Sequence, residues 1–346
     1  MKIALGADHR GFQYKEKIKK FLQGKGYEVE DFGTFSEDSV DYPDFGLKVA
    51  QAVSKEEVDR GILFCWTGIG MCIVADKVKG VRAALCLNEE MAKLSREHND
   101  SNVLSVSAKF NKEEELLKVV EVFLNTPFEG GRHQGRLDKI LLGEELNYYK
   151  QGLEISRKFK NKKGEYLSLT NIGLIYSRLG DLENASNFFE QALKIAQEIS
   201  YKEGGSDAWS NLGLIQTAKG DSDRALASHQ EALKIDMERN YLEGVASDLN
   251  NIGLVYKAKG DLDKALENYK EALKINQEIG CLEGQGIQLS NIGLVLKDKN
   301  DLQGALEHFQ EALRIFKSIN LERQIKMAEE NIKLIEKLKE RSKDEV

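Results

Sequence analysis

No stretch of the chain approaches the roughly 18 apolar residues of a membrane span. Its opening, Met1-Lys2-Ile3-Ala4-Leu5-Gly6-Ala7-Asp8, turns polar before the apolar centre of a secretion signal could form. The expectation is a cytoplasmic protein without a membrane partner. Excess positive charge is missing too. Lys and Arg number 50 against 57 Asp and Glu, a formal net charge of −7, so the clustered cationic surface of a nucleic-acid binder is not expected. Small phosphorylated ligands stay open. The four cysteines, Cys65, Cys72, Cys86 and Cys281, form no C-x-x-C pair and have no histidine cluster beside them. That excludes a disulfide framework and argues against a metal site. Cys72, Cys86 and Cys281 read as packing residues, and Cys65 stands apart because of its neighbours.

What the chain does have is material for two globular units. Its 346 residues exceed one ordinary domain, and 41% hydrophobic with 31% charged residues supplies a core and a solvated surface. The boundary is placed at 145/146. In the first half, apolar runs Lys2–Gly6, Gly61–Cys65, Val81–Cys86 and Val103–Val106 alternate with helical patterns Phe12–Gln23, Phe45–Val53, Asn88–Glu97 and Lys112–Leu124. Short apolar strands separated by helices predict an α/β, Rossmann-like parallel sheet covered on both faces. Ligands bind such sheets beyond the carboxyl ends of the strands. Asp8 and His9 follow the first strand, and Cys65-Trp66-Thr67-Gly68-Ile69-Gly70 follows a later one, so two motifs converge on one edge. The glycines let backbone N–H groups gather around an anion, and Cys65 beside them is placed to act as a base whose enediolate product the same dipoles would hold. Arg132 and Arg136 are spaced i, i+4 at an expected helix start after Gly130-Gly131, so both could face one phosphate. Each motif alone has a plain structural alternative: a buried strand-end cysteine, a helix-capping His98, a solvated charged face.

Together the motifs resemble a known family. Asp8-His9-Arg10-Gly11, Asp41-Tyr42-Pro43, Cys65 to Gly70, Leu94 to Asp100, Asn102-Val103-Leu104 and Glu129-Gly130-Gly131-Arg132-His133 are similar to ribose-5-phosphate isomerase B and the galactose-6-phosphate isomerase subunits. The resemblance implies a cofactor-free aldose–ketose isomerase, a homodimer through this domain with each site built between subunits. By motif, it implies that Cys65 shuttles a proton between C2 and C1 with Thr67 hydrogen-bonding nearby, while N–H groups from Trp66 through Gly68 and Ile69 to Gly70 hold the enediolate. His98 with Asp8 would open the sugar ring, Asn99 would bind a hydroxyl, and Tyr42 would line the pocket. His9, Arg132 and Arg136 would hold the phosphate, the arginines from the partner subunit. Three places depart from the pattern, and one is Asn88-Glu89-Glu90-Met91, which replaces a more usual Asp-Pro-Tyr stretch. Trp66 stands where the family usually has Gly, which predicts strain if that residue needs a positive φ, and Lys109 stands where a phosphate-binding Arg is usual.

The second half is periodic. Asn171, Asn211, Asn251, Asn291 and Asn331 are 40 residues apart, and Gly173, Gly213, Gly253 and Gly293 keep the same step. Glycine inside a helix costs about 1 kcal/mol relative to Ala, so four at one repeat position call for close helix–helix contact. Leu249, Ile252 and Tyr256 form one helical stripe, and Leu262, Leu266, Tyr269 and Leu273 a second. Between them Gly260-Asp261 supplies a left-handed stop and a helix start. Each unit is a helical hairpin, and stacked hairpins predict an all-α solenoid. The pattern resembles tetratricopeptide repeats, which implies an unknown protein or peptide partner on the concave face. Asn171, Asn211, Asn251 and Asn291 are candidates for a peptide groove, or else bond between helices. His229, in register with Phe189, Tyr269 and Phe309, reads as core. The leading function is a ribose 5-phosphate isomerase fused to a partner-binding array; the rival is a sugar-phosphate-sensing scaffold without turnover.

Overall fold

The computed structural model describes residues 1–344, so Glu345 and Val346, the end of the expected repeat domain, lie outside the described residues. The chain divides into two compact units, one from Met1 to Glu144 and one from Glu145 onward. The first contains β1 (Lys2–Ala7), α1 (Phe12–Gly24), β2 (Glu28–Asp31), α2 (Pro43–Ser54), β3 (Arg60–Cys65), α3 (Ile69–Ala75), β4 (Ala83–Leu85), α4 (Glu89–Asn99), β5 (Val103–Ser107) and α5 (Glu113–Asn125). The strands form one parallel sheet in the order β2-β1-β3-β5-β4. Side chains of a strand alternate between faces. Ile3, Leu5, Ile62, Phe64, Leu104 and Val106 accordingly pack with Ile18 and Leu22 of α1 and Val119, Val120 and Phe123 of α5, while Ala4, Leu63, Cys65 and Val103 pack with Val49 and Val53 of α2 and Met71 of α3.

Two elements differ from the sequence expectation. Strand β2, Glu-Val-Glu-Asp, was not anticipated, because an acidic edge strand shows no apolar alternation. Its anchor is Lys15, fully buried on α1, whose ammonium lies 2.6 Å from Asp31. Strand β4 is shorter than Val81–Cys86.

The second unit is wholly helical over the described residues. The helix α6 (Gln134–Lys158) carries the chain across the boundary, and α7 (Lys162–Arg178), α8 (Leu182–Glu198), α9 (Lys202–Ala218), α10 (Ser222–Glu238), α11 (Leu242–Ala258), α12 (Leu262–Glu278), α13 (Leu282–Asp298), α14 (Leu302–Ser318) and α15 (Glu322–Asp344) follow. From α7 onward each packs on the next, as a solenoid of tetratricopeptide hairpins requires. The hairpin stops are as expected: Gly180, Gly220 and Gly260 have φ of 80°, Asn300 has 63°. The carboxylates of Asp181, Asp221, Asp261 and Asp301 then accept the N–H groups of residues 184, 224, 264 and 304. The helical glycines have the reason that their cost demanded. A Cβ on Gly173, Gly213, Gly253 or Gly293 would lie 2.5–2.9 Å from the ring of Phe189, His229, Tyr269 or Phe309. Each aromatic is seated on the glycine of its partner helix.

Candidate functional site

At the carboxyl edge of the sheet, β1 and β3 end side by side, with Ala7 opposite Phe64 and the Asp8 N–H bonded to the Phe64 carbonyl. Asp8 is buried, and its Oδ1 accepts the N–H groups of Arg10 (2.9 Å) and Gly11 (2.8 Å), which curls the loop. Gly11 is obligatory, since a Cβ there would lie 2.4 Å from the Phe64 oxygen. His9 Nδ1 accepts the Val40 N–H at 3.3 Å. That bond places the neutral imidazole's proton on Nε2, which can donate to an anion.

Cys65 closes β3, 4% exposed, with the Gly68 N–H donating to its Sγ at 3.2 Å. An amide dipole is thus aimed at the sulfur. At two other thiols, burial, joined at Cys72 by Asp76, pushes the pKa up to about 11. Cys281 is a correction to the packing expectation, because its sulfur caps α13 by accepting the Gly284 N–H. The turn itself is left-handed at Gly68, φ 76°, where a Cβ would meet Leu85 at 2.4 Å. Trp66 is not among the positive-φ residues, so the expected strain does not exist. Its indole, 42% exposed, lies under the Arg10 guanidinium (5.0 Å) and near the Lys109 ammonium (5.8 Å). Thr67 Oγ1 accepts the Ile69 N–H at the start of α3. Gly70 faces the Tyr42 ring, which a Cβ would approach to 2.9 Å.

Sequence reading missed what holds this turn. Ser105 and Ser107, fully buried on β5, donate to the carbonyls of Gly68 (2.6 Å) and Trp66 (2.9 Å). Two serines inside an apolar strand were the available signal. Buried hydroxyls need partners, and here the partners are the turn's own carbonyls.

His98, Asn99, Arg132 and Arg136 form a second group. His98 stacks on His133 with ring centroids 4.3 Å apart and planes 3° from parallel. Arg132 Nε and Arg136 Nη1 each lie 3.4 Å from a nitrogen of His133, at the short 3-10 turn Gly131–His133 and the start of α6. Burial, His98 and the two guanidinium groups hold His133 below the usual histidine range against the pull of Glu129. Donor atoms of His98, Glu129 and His133 lie within 4.8 Å of one another. Two guanidinium groups on the same imidazole oppose a metal cation there and favour an anion. Arg96, 3% exposed, bonds Thr126 O, Ser101 O and Asp100 Oδ1, fixing the end of α4 on which His98 sits.

The two groups lie at opposite edges of the sheet. Helix α4, 11 residues long, runs back from the carboxyl edge to the amino edge, about 16 Å at 1.5 Å per residue. His98 is at its far end, next to Asp100, which pairs with Arg82 just before β4. Cys65, Asp8 and His9 therefore do not meet His98, Asn99, Arg132 or Arg136 within one chain.

The repeat asparagines behave unequally. Asn171 donates to Leu167 O in its own helix at 2.8 Å, whereas Asn291 donates to Asn250 Oδ1 of the preceding repeat at 2.9 Å. All four are only partly buried.

Residues 3–140 match the family described as Ribose/Galactose Isomerase, and residues 164–238, 206–278 and 244–318 match the tetratricopeptide repeat. The chain is 45% identical over 141 residues to a probable ribose-5-phosphate isomerase B of Mycoplasma genitalium, covering 40% of this chain and 93% of that protein. It is 45% identical over 139 residues to the ribose-5-phosphate isomerase B of Escherichia coli, with the same coverage of 40% and 93%. The crystal structure of the Mycoplasma genitalium enzyme with bound ribulose-5-phosphate aligns at 45% identity and a TM-score of 0.40, over 41% of this chain and 95% of that one. Through its first unit the chain belongs to the ribose/galactose isomerase family. Tetratricopeptide repeats follow it.

Proposed function

We propose that the chain interconverts ribose 5-phosphate and ribulose 5-phosphate through an enediolate, as a dimer in which the carboxyl edge of one copy meets the amino edge of the other. The observation that carries this reading is Cys65 Sγ beside the amides of the Gly68 turn, in a family whose relatives are ribose-5-phosphate isomerases. Arg132, Arg136 and His9 bind the phosphate. His98 of one copy gives a proton to the ring oxygen while Asp8 of the other, through Oδ2, takes the proton of the C1 hydroxyl, opening the ring. The Cys65 thiolate removes the C2 proton and the electron pair moves onto the carbonyl oxygen. N–H groups of the turn stabilise that charge. Return of the proton to C1, with the O2 hydroxyl proton passing to O1, completes the ketose. No atom is gained or lost. The repeats bind a protein partner.

Mixing inactive variants tests both chemistry and assembly. Cys65→Ala and His98→Asn should each be inert with ribose 5-phosphate. Refolded together in equal amounts, half the dimers would be mixed, each with one intact site, restoring about a quarter of wild-type ketose formation. Failure to complement, with wild type active, rejects the shared site. An inactive wild type leaves the sugar-phosphate-sensing scaffold as the reading.

A further inference from the structure

Among the turns that join one helical hairpin to the next, the first is unlike the rest. Arg157, Lys158, Lys160, Lys162 and Lys163 place five positive charges and no acid between positions 157 and 163 of a chain with net charge −7. One repeat on, Glu198, Lys202 and Glu203 sum to −1; the next two turns carry −1 (Glu238, Arg239, Glu243) and −2 (Glu278, Glu283), and the last carries +1 (Lys317, Glu322, Arg323). Part of the charge is internally matched: Arg157 and Lys162 pair with Glu165 at 2.9 and 3.4 Å. Lys158, Lys160 and Lys163 are exposed and make no ion pair among the described residues. Lys160 also occupies the left-handed position, φ 53°, that Asn240, Gly280 and Asn320 fill elsewhere, so the backbone alone gives no reason for a lysine.

The same layer is unusually apolar at its surface. Beside the basic turn lies a recess of about 400 Å³ lined by Tyr148, Ile155, Leu167 and Asn171. Ile155 is 58% exposed where its counterpart Ile195 is 8% exposed, and Leu167, 49% exposed, is replaced in the next two repeats by Asp207 and Ser247. Asn171 donates its amide to Leu167 O, which leaves its carbonyl oxygen to accept a peptide N–H.

We propose that this first layer docks an acidic linear peptide, with Lys158, Lys160 and Lys163 holding its carboxylates and an apolar side chain entering the Ile155–Leu167 recess. The inference rests on the reading that the repeats bind protein, and it names where and by what chemistry. A recess with an amide acceptor suits a peptide; a lipid surface would instead use the projecting Phe159, 73% exposed.

Fluorescence anisotropy of the full chain with a labelled peptide in which Asp and Glu flank a Leu-Phe pair is the test. A variant carrying Lys158→Ser, Lys160→Asn and Lys163→Ser should bind about tenfold more weakly, with the difference shrinking as salt is raised. Leu167→Asp should also weaken binding. Lys160→Asn and Leu167→Asp install residues that the array already carries at equivalent positions, so the fold is retained. Absence of wild-type binding, or equal binding by the variants, overturns the proposal. If binding instead falls only with Asn251→Ala and Asn291→Ala, the array binds peptide elsewhere and the broader reading stands. Sedimentation with phosphatidylserine-containing vesicles that depends on Phe159, without peptide binding, overturns it in favour of a membrane surface.

Discussion

The two units put their chemistry on the surface in opposite ways. In the sheet domain, the residues to which we assign chemistry, Cys65, Asp8, His9 and His98, lie in motifs that occur once, with dedicated supports nearby such as Ser105 under Gly68 and Arg96 under the end of α4. In the repeat domain, what recurs is packing. The ring-on-glycine contacts at 173, 213, 253 and 293 and the aspartate caps define the fold, and they would be identical whatever the array bound. Informative positions there are those that break the period, such as the basic turn at 157–163. Our proposed site in the first unit rests on a unique motif, and the one proposed in the second rests on a departure from the motif.

The largest effect that tests this contrast falls on Cys65. Cys65→Ala should lower turnover by about 10²–10⁴, the scale of a lost general base, while leaving sugar-phosphate affinity and thermal stability near wild type. Direct assay of ketose formation beside a melting curve decides it. Near wild-type turnover removes Cys65 from the chemistry.

His229 gives the counterpart in the repeats, where replacing an odd residue with the periodic one should improve the fold. It is fully buried, neither ring nitrogen has a partner, and burial holds its pKa down to about 4. Because the folded value lies below the unfolded value near 6.5, the neutral ring contributes stability that is complete above about pH 6.5 and is lost as pH falls toward 4, a difference of about 3 kcal/mol. His229→Phe, which copies Phe189 and Phe309, should stabilise the protein by about 1–3 kcal/mol at pH 7 through removal of unpaired nitrogens, and by more at pH 4. Denaturation at both pH values measures it. A pH-independent or negative change shows that the nitrogens are satisfied by water. Asp248, pushed up to about 7 by burial and by Asp236 and Asp207, has the reverse dependence, so its contribution is lost as pH rises through 7.

Arg136→Ala should raise KM for phosphorylated sugars with little change in kcat, by a charge-assisted hydrogen bond of about 1.5–3 kcal/mol. An unchanged KM places the phosphate away from the His133 pair.

Much of this was legible in sequence because the determinants are local. Apolar runs and 40-residue spacing report burial and packing, and Gly-Asp pairs report helix ends. The edge strand β2 was hidden because its stabilising contact, Lys15 to Asp31, joins residues 16 apart with no pattern between them. The same holds for the site. Motif order does not show that within one chain the length and direction of α4 carry His98 to the edge of the sheet opposite Asp8, because strand direction across a domain is a property of topology rather than of any motif.

The smallest expected effect is at Trp66, where sequence reading expected the largest anomaly. Strain was expected there if the residue needed a positive φ, but only Gly68 in that turn has one, so a glycine at 66 would relieve none. What Trp66 does contribute is a ring face under Arg10 at 5.0 Å, an exposed cation–π contact worth about 0.5–1 kcal/mol, and a stiffer backbone than glycine. Trp66→Gly should therefore lower kcat/KM about fivefold or less and leave the preference among aldose phosphates unchanged. A gain in activity, or acceptance of a longer sugar phosphate, would mean that the indole occupies the substrate's space and that the turn's geometry, rather than its amides alone, sets which sugar is turned over.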